Sequence, residues 1–412
     1  MRKSAIVIFL VLVGLQAFGG FISPNYSSNE CWKSLDTVSN YKGRSFDSFD
    51  QTLVAKLAGM VSSYKLNCDA GGFVILAHGF PADYFRGRLM FINRPLLPFV
   101  VSIFAAPLHL ISPSYSMTFA AALLVNAMLL FFSAYLLYWL CRQYFSERVA
   151  FLSGVLFLLS PFSRSWLVQP ETNVAGVFSV ILFCALLHIY AKKPSLKKLI
   201  IYSLTIGLTL MFKMNFAFAI FIIILAVAYR KYKEGIIFLV VHLLPLLAWY
   251  VWVTRIWGLS FSTQEVSNFQ IGVWFFDALR GPLYQLIAEF IASIPQYFTA
   301  FVYGFFPVVA FFSLFGFYHW ENKNKNLIFF GLLVSVFALL FAIHIYLPRY
   351  AFFLFPIIYP LAVVGIDHLG DWLSKYCWYR PWLYYAIIYT LIILPALLPI
   401  FKIYEYLGVP YS

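Results

Sequence analysis

Charge is what this sequence has least of: Asp, Glu, Lys and Arg make up 11% of its 412 residues, while 62% are hydrophobic. With a mean hydropathy of +0.83 the chain carries more apolar surface than a water-soluble domain can bury, which excludes a soluble globular enzyme. The alternation of a porin strand is missing as well, so helices are left as the spanning elements. Cysteine is sparse, at five residues, and no CxxC or zinc spacing occurs, so no metal–thiolate centre is read. There is no internal repeat, heptad series or low-complexity linker either, and a single membrane domain over residues 1–412 is the economical organisation.

Apolar runs of roughly 16 to 24 residues recur along the chain, the length with which a helix crosses ~30 Å of hydrocarbon. They predict helices near residues 4–23, 94–112, 117–140, 148–167, 172–191, 197–212, 214–229, 235–254, 297–318, 326–346, 350–367 and 382–402, an all-α polytopic membrane protein. The net charge of +13 suggests nucleic acid at first sight. Yet the cations gather in short turns, "RQYFSER" (142–148), "AKKPSLKK" (191–198) and "YRKYKEG" (229–235), as cytoplasmic loops of membrane proteins do, and no nucleic-acid partner is expected. If every run crossed, the first of these turns would lie opposite the other two. All three share one side if residues 94–112, with Pro95, Pro98, Pro107 and His109, form a short, tilted or re-entrant segment, which leaves eleven full crossings instead of twelve. The basic start of "MRKSAIVIFLVLVGLQAFGGFI" reads as an uncleaved first helix, with signal-peptide cleavage near "AFGG" as the alternative.

This topology leaves two sizeable exterior loops, at about residues 24–93 and 255–295. Asn25 in "NYS" matches a glycosylation sequon, and Cys31 and Cys68 share the first loop, where an oxidising compartment would allow them to pair; their spacing does not decide it. Cys141, Cys184 and Cys377 read as inert thiols in or beside helices. In the same first loop, "SFDSFDQTLVAKLAG" (45–59) opens an amphipathic segment in which Phe49, Leu53, Leu57, Val61 and Tyr64 recur at helical spacing, suited to the membrane interface.

Asp47 and Asp50 open that segment. Two readings stand: they cap the helix and complement its dipole, or one of them, Asp47, is a general base kept ionised and fixed by the helix N-terminus. Four more ionisable groups sit within or at the edge of apolar runs, where charge is costly and so points to function. Arg94 begins "RPLLPFVVSIFAAPL", Glu171 begins an apolar helix, Lys213 lies between two short helices in "GLTLMFKMNF", and Arg349 begins "RYAFFLFPIIYPLAVVG". Each has a structural alternative: headgroup anchoring for the two arginines, capping for Glu171, snorkelling for Lys213.

The ordered set resembles the GT-C superfamily of integral-membrane glycosyltransferases, in particular the protein O-mannosyltransferase and aminoarabinose-transferase branch. It rests on an acid leading an amphipathic helix in the first exterior loop, then "RPLLPFVVSIFAAPL", a basic turn, "LSPFSRSWLVQPET", "GLTLMFK" and "PRYAFFLFPIIYPLA", and it covers nearly the whole chain in order. The resemblance implies a GT-C-like helical bundle in the plasma (inner) membrane, a polyprenyl-phosphate-linked sugar donor, and transfer to a lipid, glycan or protein acceptor outside the cytoplasm. By position in the matching segments, Asp47 would be the catalytic base and Glu171 a second acid facing the same cavity. Lys213 and Arg349 would contact the donor phosphate, and Arg94 would line the entrance. Many relatives carry an Asp-Glu pair followed by Tyr, whereas Asp47 is followed by Ser48, and Gln51 holds the fourth place, so Asp50 stays beside Asp47 as a candidate.

Elementary chemistry agrees with such a set. A lipid phosphate leaves as a stable anion, so a pair of flanking carboxylates, as glycoside hydrolysis uses, is not required. One base and several cations suffice, and direct displacement inverts the anomeric centre. A divalent cation, Mg or Mn, bridging phosphate and carboxylate stays open, since no ligand spacing demands one. Two other classes remain: a lipid or solute transporter, although the duplicated halves with interrupted helices are not seen, and an accessory subunit with a degenerate site, which the missing Asp-Glu pair keeps in view.

Overall fold

The computed structural model describes residues 2–22, 94–113, 115–160, 172–213, 217–256, 307–321 and 354–376, with shorter pieces within 73–80, 163–167, 281–295, 326–335 and 382–390. Among the described residues there is no strand; ten helices are bounded in full, and the shorter pieces hold further helical residues. They are α1 (Arg2–Ile22), α2 (Leu96–His109), α3 (Tyr115–Cys141), α4 (Glu147–Leu158), α5 (Thr172–Lys192), α6 (Leu196–Leu210), α7 (Ala217–Ala228), α8 (Tyr232–Ile256), α9 (Pro307–His319) and α10 (Phe355–Tyr376). Stretches of α3, α5 and α8 (Met117–Cys141, Thr172–Lys192 and Tyr232–Arg255) are each long and apolar enough to cross a membrane. The predicted amphipathic helix from Phe49, both exterior-loop cysteines Cys31 and Cys68, Asn25 and Cys377 lie outside the described residues.

Two helix ends differ from the apolar runs. α4 stops at Leu158, well before residue 167, because Pro161 steers Ser160 out of the helical region. Serine side chains take over the freed backbone: Ser163 Oγ donates to the Phe157 carbonyl at 2.6 Å, and Ser160 Oγ accepts from the Ser163 N–H at 3.2 Å. α10 runs on to Tyr376, past residue 367, since hydrophobicity ends there but helical propensity does not. Within the apolar helices, hydroxyls bond back to carbonyls one turn earlier, as Ser133 does to Leu129, Ser153 to Val149 and Ser203 to Leu199, each at 2.6 Å. No water is then needed to satisfy them.

Packing divides the chain into two compact units: Met1–Tyr135 with Val155–Phe178 and Ile393–Ser412, and Leu136–Gly154 with Ser179–Ile392. In the first, α1 buries Ala5, Phe9 and Val13 along one face and leaves Val7, Leu10, Val11 and Leu15 outward, as a lipid-facing helix does. Asn126 of α3, fully buried, donates from Nδ2 to the Leu167 carbonyl at 3.3 Å.

In the second unit, α9 and α10 touch backbone to backbone. A Cβ on Gly316 would collide with the Leu361 carbonyl, and one on Gly365 with the Phe312 carbonyl. Small residues allow such approach where hydrocarbon gives no hydrophobic drive between helices. α6 lies as close to α8, Gly207 against the His242 carbonyl. The opposite face of α8 carries Ile236, Val240, Leu244, Leu247 and Val251, all between 46% and 61% exposed and spaced three or four apart, a stripe for lipid. At the start of α4, Arg148 Nη2 approaches Asp367 Oδ1 of α10 at 3.2 Å, off the line of a hydrogen bond, with its guanidinium 5.0 Å from the Tyr385 ring.

Candidate functional site

Of the six residues singled out in sequence, two are described. Asp47, Asp50, Glu171 and Arg349 lie outside the described residues. Arg94 falls in the first unit and Lys213 in the second, and each is taken within its own unit.

Arg94 is half-buried and immediately precedes α2, whose first turn is closed by the Phe99 N–H donating to the Pro95 carbonyl at 3.0 Å. Proline suits this place because its missing N–H has no partner at a helix start. α2 has 14 residues, with Pro107 inside it. At 1.5 Å per residue it reaches about 21 Å, short of the ~30 Å of hydrocarbon, which agrees with a short, tilted or re-entrant segment.

At the far end of α2 the structure assembles a group that sequence reasoning did not find. Thr118 Oγ1, fully buried near the start of α3, lies 2.8 Å from His78 Nδ1 and 2.9 Å from His109 Nε2, and the two imidazoles meet edge to face at 5.0 Å. A hydroxyl has one proton and two lone pairs, so Thr118 donates to at most one of the rings, and the two contacts tie the 73–80 segment, α2 and α3 together. Only His109 stood out in the sequence, for its place in a proline-rich run; nothing in the spacing of His78 and Thr118 marks them.

Lys213 follows α6, where Phe212 and Lys213 donate backbone N–H bonds to the Thr209 carbonyl at 3.1 and 3.3 Å. Its residue is 8% exposed, beside buried Phe212 and close in sequence to buried Ala217 and Phe218 of α7. An ammonium in such surroundings is costly to desolvate unless it is paired. This separates Lys213 from a side chain that reaches out to headgroups.

No cluster of three or more His, Cys, Asp or Glu that could hold a metal is present among the described residues. The acids that could contribute ligands, Asp47, Asp50 and Glu171, lie outside them. Cys141 and Cys184 are free thiols, as read from the sequence. A cavity of about 690 Å³ is present in the second unit, and neither Arg94 nor Lys213 lines it.

Comparison with known proteins now adds to this geometry. Residues 95–254 match the family of dolichyl-phosphate-mannose-protein mannosyltransferases. Among solved structures, the chain is similar to the apo form of the Archaeoglobus fulgidus oligosaccharyltransferase, at 15% identity and a TM-score of 0.51, over 100% of this chain and 57% of that one. The same enzyme crystallised with Zn and sulfate gives 18% identity and a TM-score of 0.49, over 80% of this chain and 47% of that one. The chain thus spans about half the length of the solved structures it matches. No curated protein matches it in sequence. At the level of fold, and by family over residues 95–254, the resemblance to the GT-C membrane glycosyltransferases read from the sequence holds.

Proposed function

We propose that this chain, as one membrane domain, is a polytopic glycosyltransferase of the bacterial plasma membrane. It moves a sugar from a polyprenyl-phosphate-linked donor to a lipid, glycan or protein acceptor on the extracytoplasmic side, with inversion. The observation that carries the reading is Lys213, a buried cation at the junction of two apolar helices inside the stretch that matches the mannosyltransferase family. A lipid phosphate is the anion such a position suits.

In this reading the Asp47 carboxylate takes the proton of the acceptor hydroxyl while that oxygen bonds to the anomeric carbon. The bond from the anomeric carbon to the phosphate oxygen breaks with its electron pair, and Lys213 and Arg349 stabilise the departing phosphate. Asp50 is the alternative base, Glu171 a second acid in the cavity, and Arg94 lines its entrance.

The test is consumption of a defined polyprenyl-phosphate sugar by the purified full chain in nanodiscs, followed by mass spectrometry. Asp47→Asn is expected to cut turnover by ~10²–10⁴-fold with the protein still folded, the range lost with a general base. Full turnover in both Asp47→Asn and Asp50→Asn removes the base; failure of the unmodified chain to consume any such donor removes the transferase.

A further inference from the structure

The three basic turns that set the topology come together around one cavity in the second unit: Tyr144, Pro194 and Lys231, one from each turn, all line it. Two hydrogen bonds lock the first turn to α5, from Lys192 Nζ to Gln143 Oε1 at 2.9 Å and between Tyr144 Oη and His188 Nδ1 at 2.5 Å. Deeper walls come from Phe183, Leu187, Ile206, Phe221, Leu225 and Phe238. At about 690 Å³ the space is far larger than the voids a packed interior leaves and falls in the ~300–1,000 Å³ range of ligand pockets.

Its polarity is graded along one direction. Apolar side chains, with Tyr202 of α6, line the body, and the lining residues Tyr144, His188, Tyr190, Tyr229, Lys231 and Glu234 come from the turns or the helix ends next to them. The rim is cationic: turns 191–198 and 229–235 hold seven Lys and Arg against one acid, Glu234. Lys192, Lys193, Arg230 and Lys231 are exposed, and Glu234 pairs with Lys231 at 3.6 Å. Burial, with Cys184 nearby, raises the Tyr144 phenol above its ordinary pKa, and we assign its O–H as the donor in the contact with His188 Nδ1. The proton of the neutral imidazole then sits on Nε2. That Nε2 is buried, belongs to a lining residue and has no hydrogen-bond partner.

An apolar body, a buried imidazole nitrogen without a partner and exposed cations on the adjoining turns together match an amphiphile with a phosphate head. We propose that this cavity binds one anionic phospholipid from the leaflet that meets the basic turns. Its acyl chains lie among Phe183, Ile206, Leu225 and Phe238, its phosphate at Lys192, Lys193, Arg230 and Lys231, and an ester oxygen accepts from His188 Nε2. The site involves none of the residues assigned to sugar transfer and stands or falls apart from that reading.

Native mass spectrometry of the delipidated full chain tests it, titrated with phosphatidylglycerol, with phosphatidylcholine of the same chains, and with glycerol phosphate as the free headgroup. Phosphatidylglycerol is expected to bind as a single copy, about tenfold more tightly than phosphatidylcholine, and glycerol phosphate is expected not to displace it. Leu225→Trp, which fills the cavity, should weaken both lipids. The combined Lys192→Gln, Lys193→Gln, Arg230→Gln and Lys231→Gln variant should bring phosphatidylglycerol down to the level of phosphatidylcholine. His188→Phe should weaken either lipid a few-fold. Equal binding of the two lipids by the unmodified chain, displacement by glycerol phosphate, or phosphatidylglycerol binding unchanged in both the filled and the neutralised variants overturns the proposal. If Leu225→Trp does not fold, the neutralised variant decides alone, because all four of its side chains are exposed.

Discussion

Helix α6 has lysines at both ends, and they live in opposite surroundings. At its start, Lys197 is exposed and Lys198 reaches back from Nζ to the Lys193 carbonyl at 3.0 Å, on a helix capped by Ser195, whose side chain accepts from the Lys198 N–H at 3.3 Å. Just past its end, about 22 Å further on at 1.5 Å per residue, Lys213 is 8% exposed. The first pair costs nothing to keep charged and serves orientation. The second sits where a charge without a counter-ion would be expensive. In the proposed reading, the exposed pair marks which way the helix points and the buried lysine marks where the donor phosphate belongs.

The largest expected effect breaks that comparison directly. Lys213→Met keeps the volume and removes the charge. Turnover should fall by ~10²–10³-fold, the range lost when one electrostatic stabiliser of a leaving group is removed. Lys197→Gln and Lys198→Gln should leave turnover unchanged. Full activity in Lys213→Met would reduce the buried lysine to packing.

A second contrast uses one substitution at two places. Gly316→Ala drives a methyl group into the Leu361 carbonyl of α10, whereas Gly14→Ala on α1 meets nothing within 4 Å. The first should destabilise by about 2–3 kcal/mol, because backbone must move apart. The second should be neutral or stabilise by up to about 1 kcal/mol through helix propensity. Thermal unfolding in detergent, read by tryptophan emission, distinguishes them. Equal effects would mean that the α9–α10 contact carries no stability.

Smaller again is the link between α4 and α10. Arg148→Ala removes the ion pair with Asp367 and the stacking on Tyr385, and should cost about 1 kcal/mol, the scale of a partly exposed pair with a cation–π contact. The same denaturation assay reads it. No change in midpoint would make the contact incidental.

These residues also show what the sequence makes legible. Helix positions follow from run length and survive where they are described, but two ends do not, since hydropathy cannot tell the end of the hydrocarbon from the end of the helix: α10 continues through Asp367 and Asp371, and α4 stops at Leu158, shortly before Pro161. Lys213 could be read because a lone cation between apolar helices is conspicuous at one position. The cavity could not, because Tyr144, His188 and Lys231 come from segments more than forty residues apart and only packing joins them. The His78, Thr118 and His109 group was hidden for the same reason.

The smallest effect lies at the turn after α7, where strain and charge coincide in one residue. Arg230 holds φ at 55°, the left-handed region. Its N–H donates to the Val227 carbonyl at 3.2 Å and the Lys231 N–H to the Ala226 carbonyl at 2.8 Å, the double closure that glycine usually completes. A side chain there costs about 1 kcal/mol, so Arg230→Gly should raise the unfolding free energy by about that much. Arg230→Gln keeps the strain and loses only the charge, so its stability should match that of the unmodified chain, while both variants weaken phosphatidylglycerol binding alike. A natural sequence that holds arginine where glycine is more stable gives up fold stability for a cation at the rim. If Arg230→Gly gains nothing, or keeps its lipid binding while Arg230→Gln loses it, that trade is not being made.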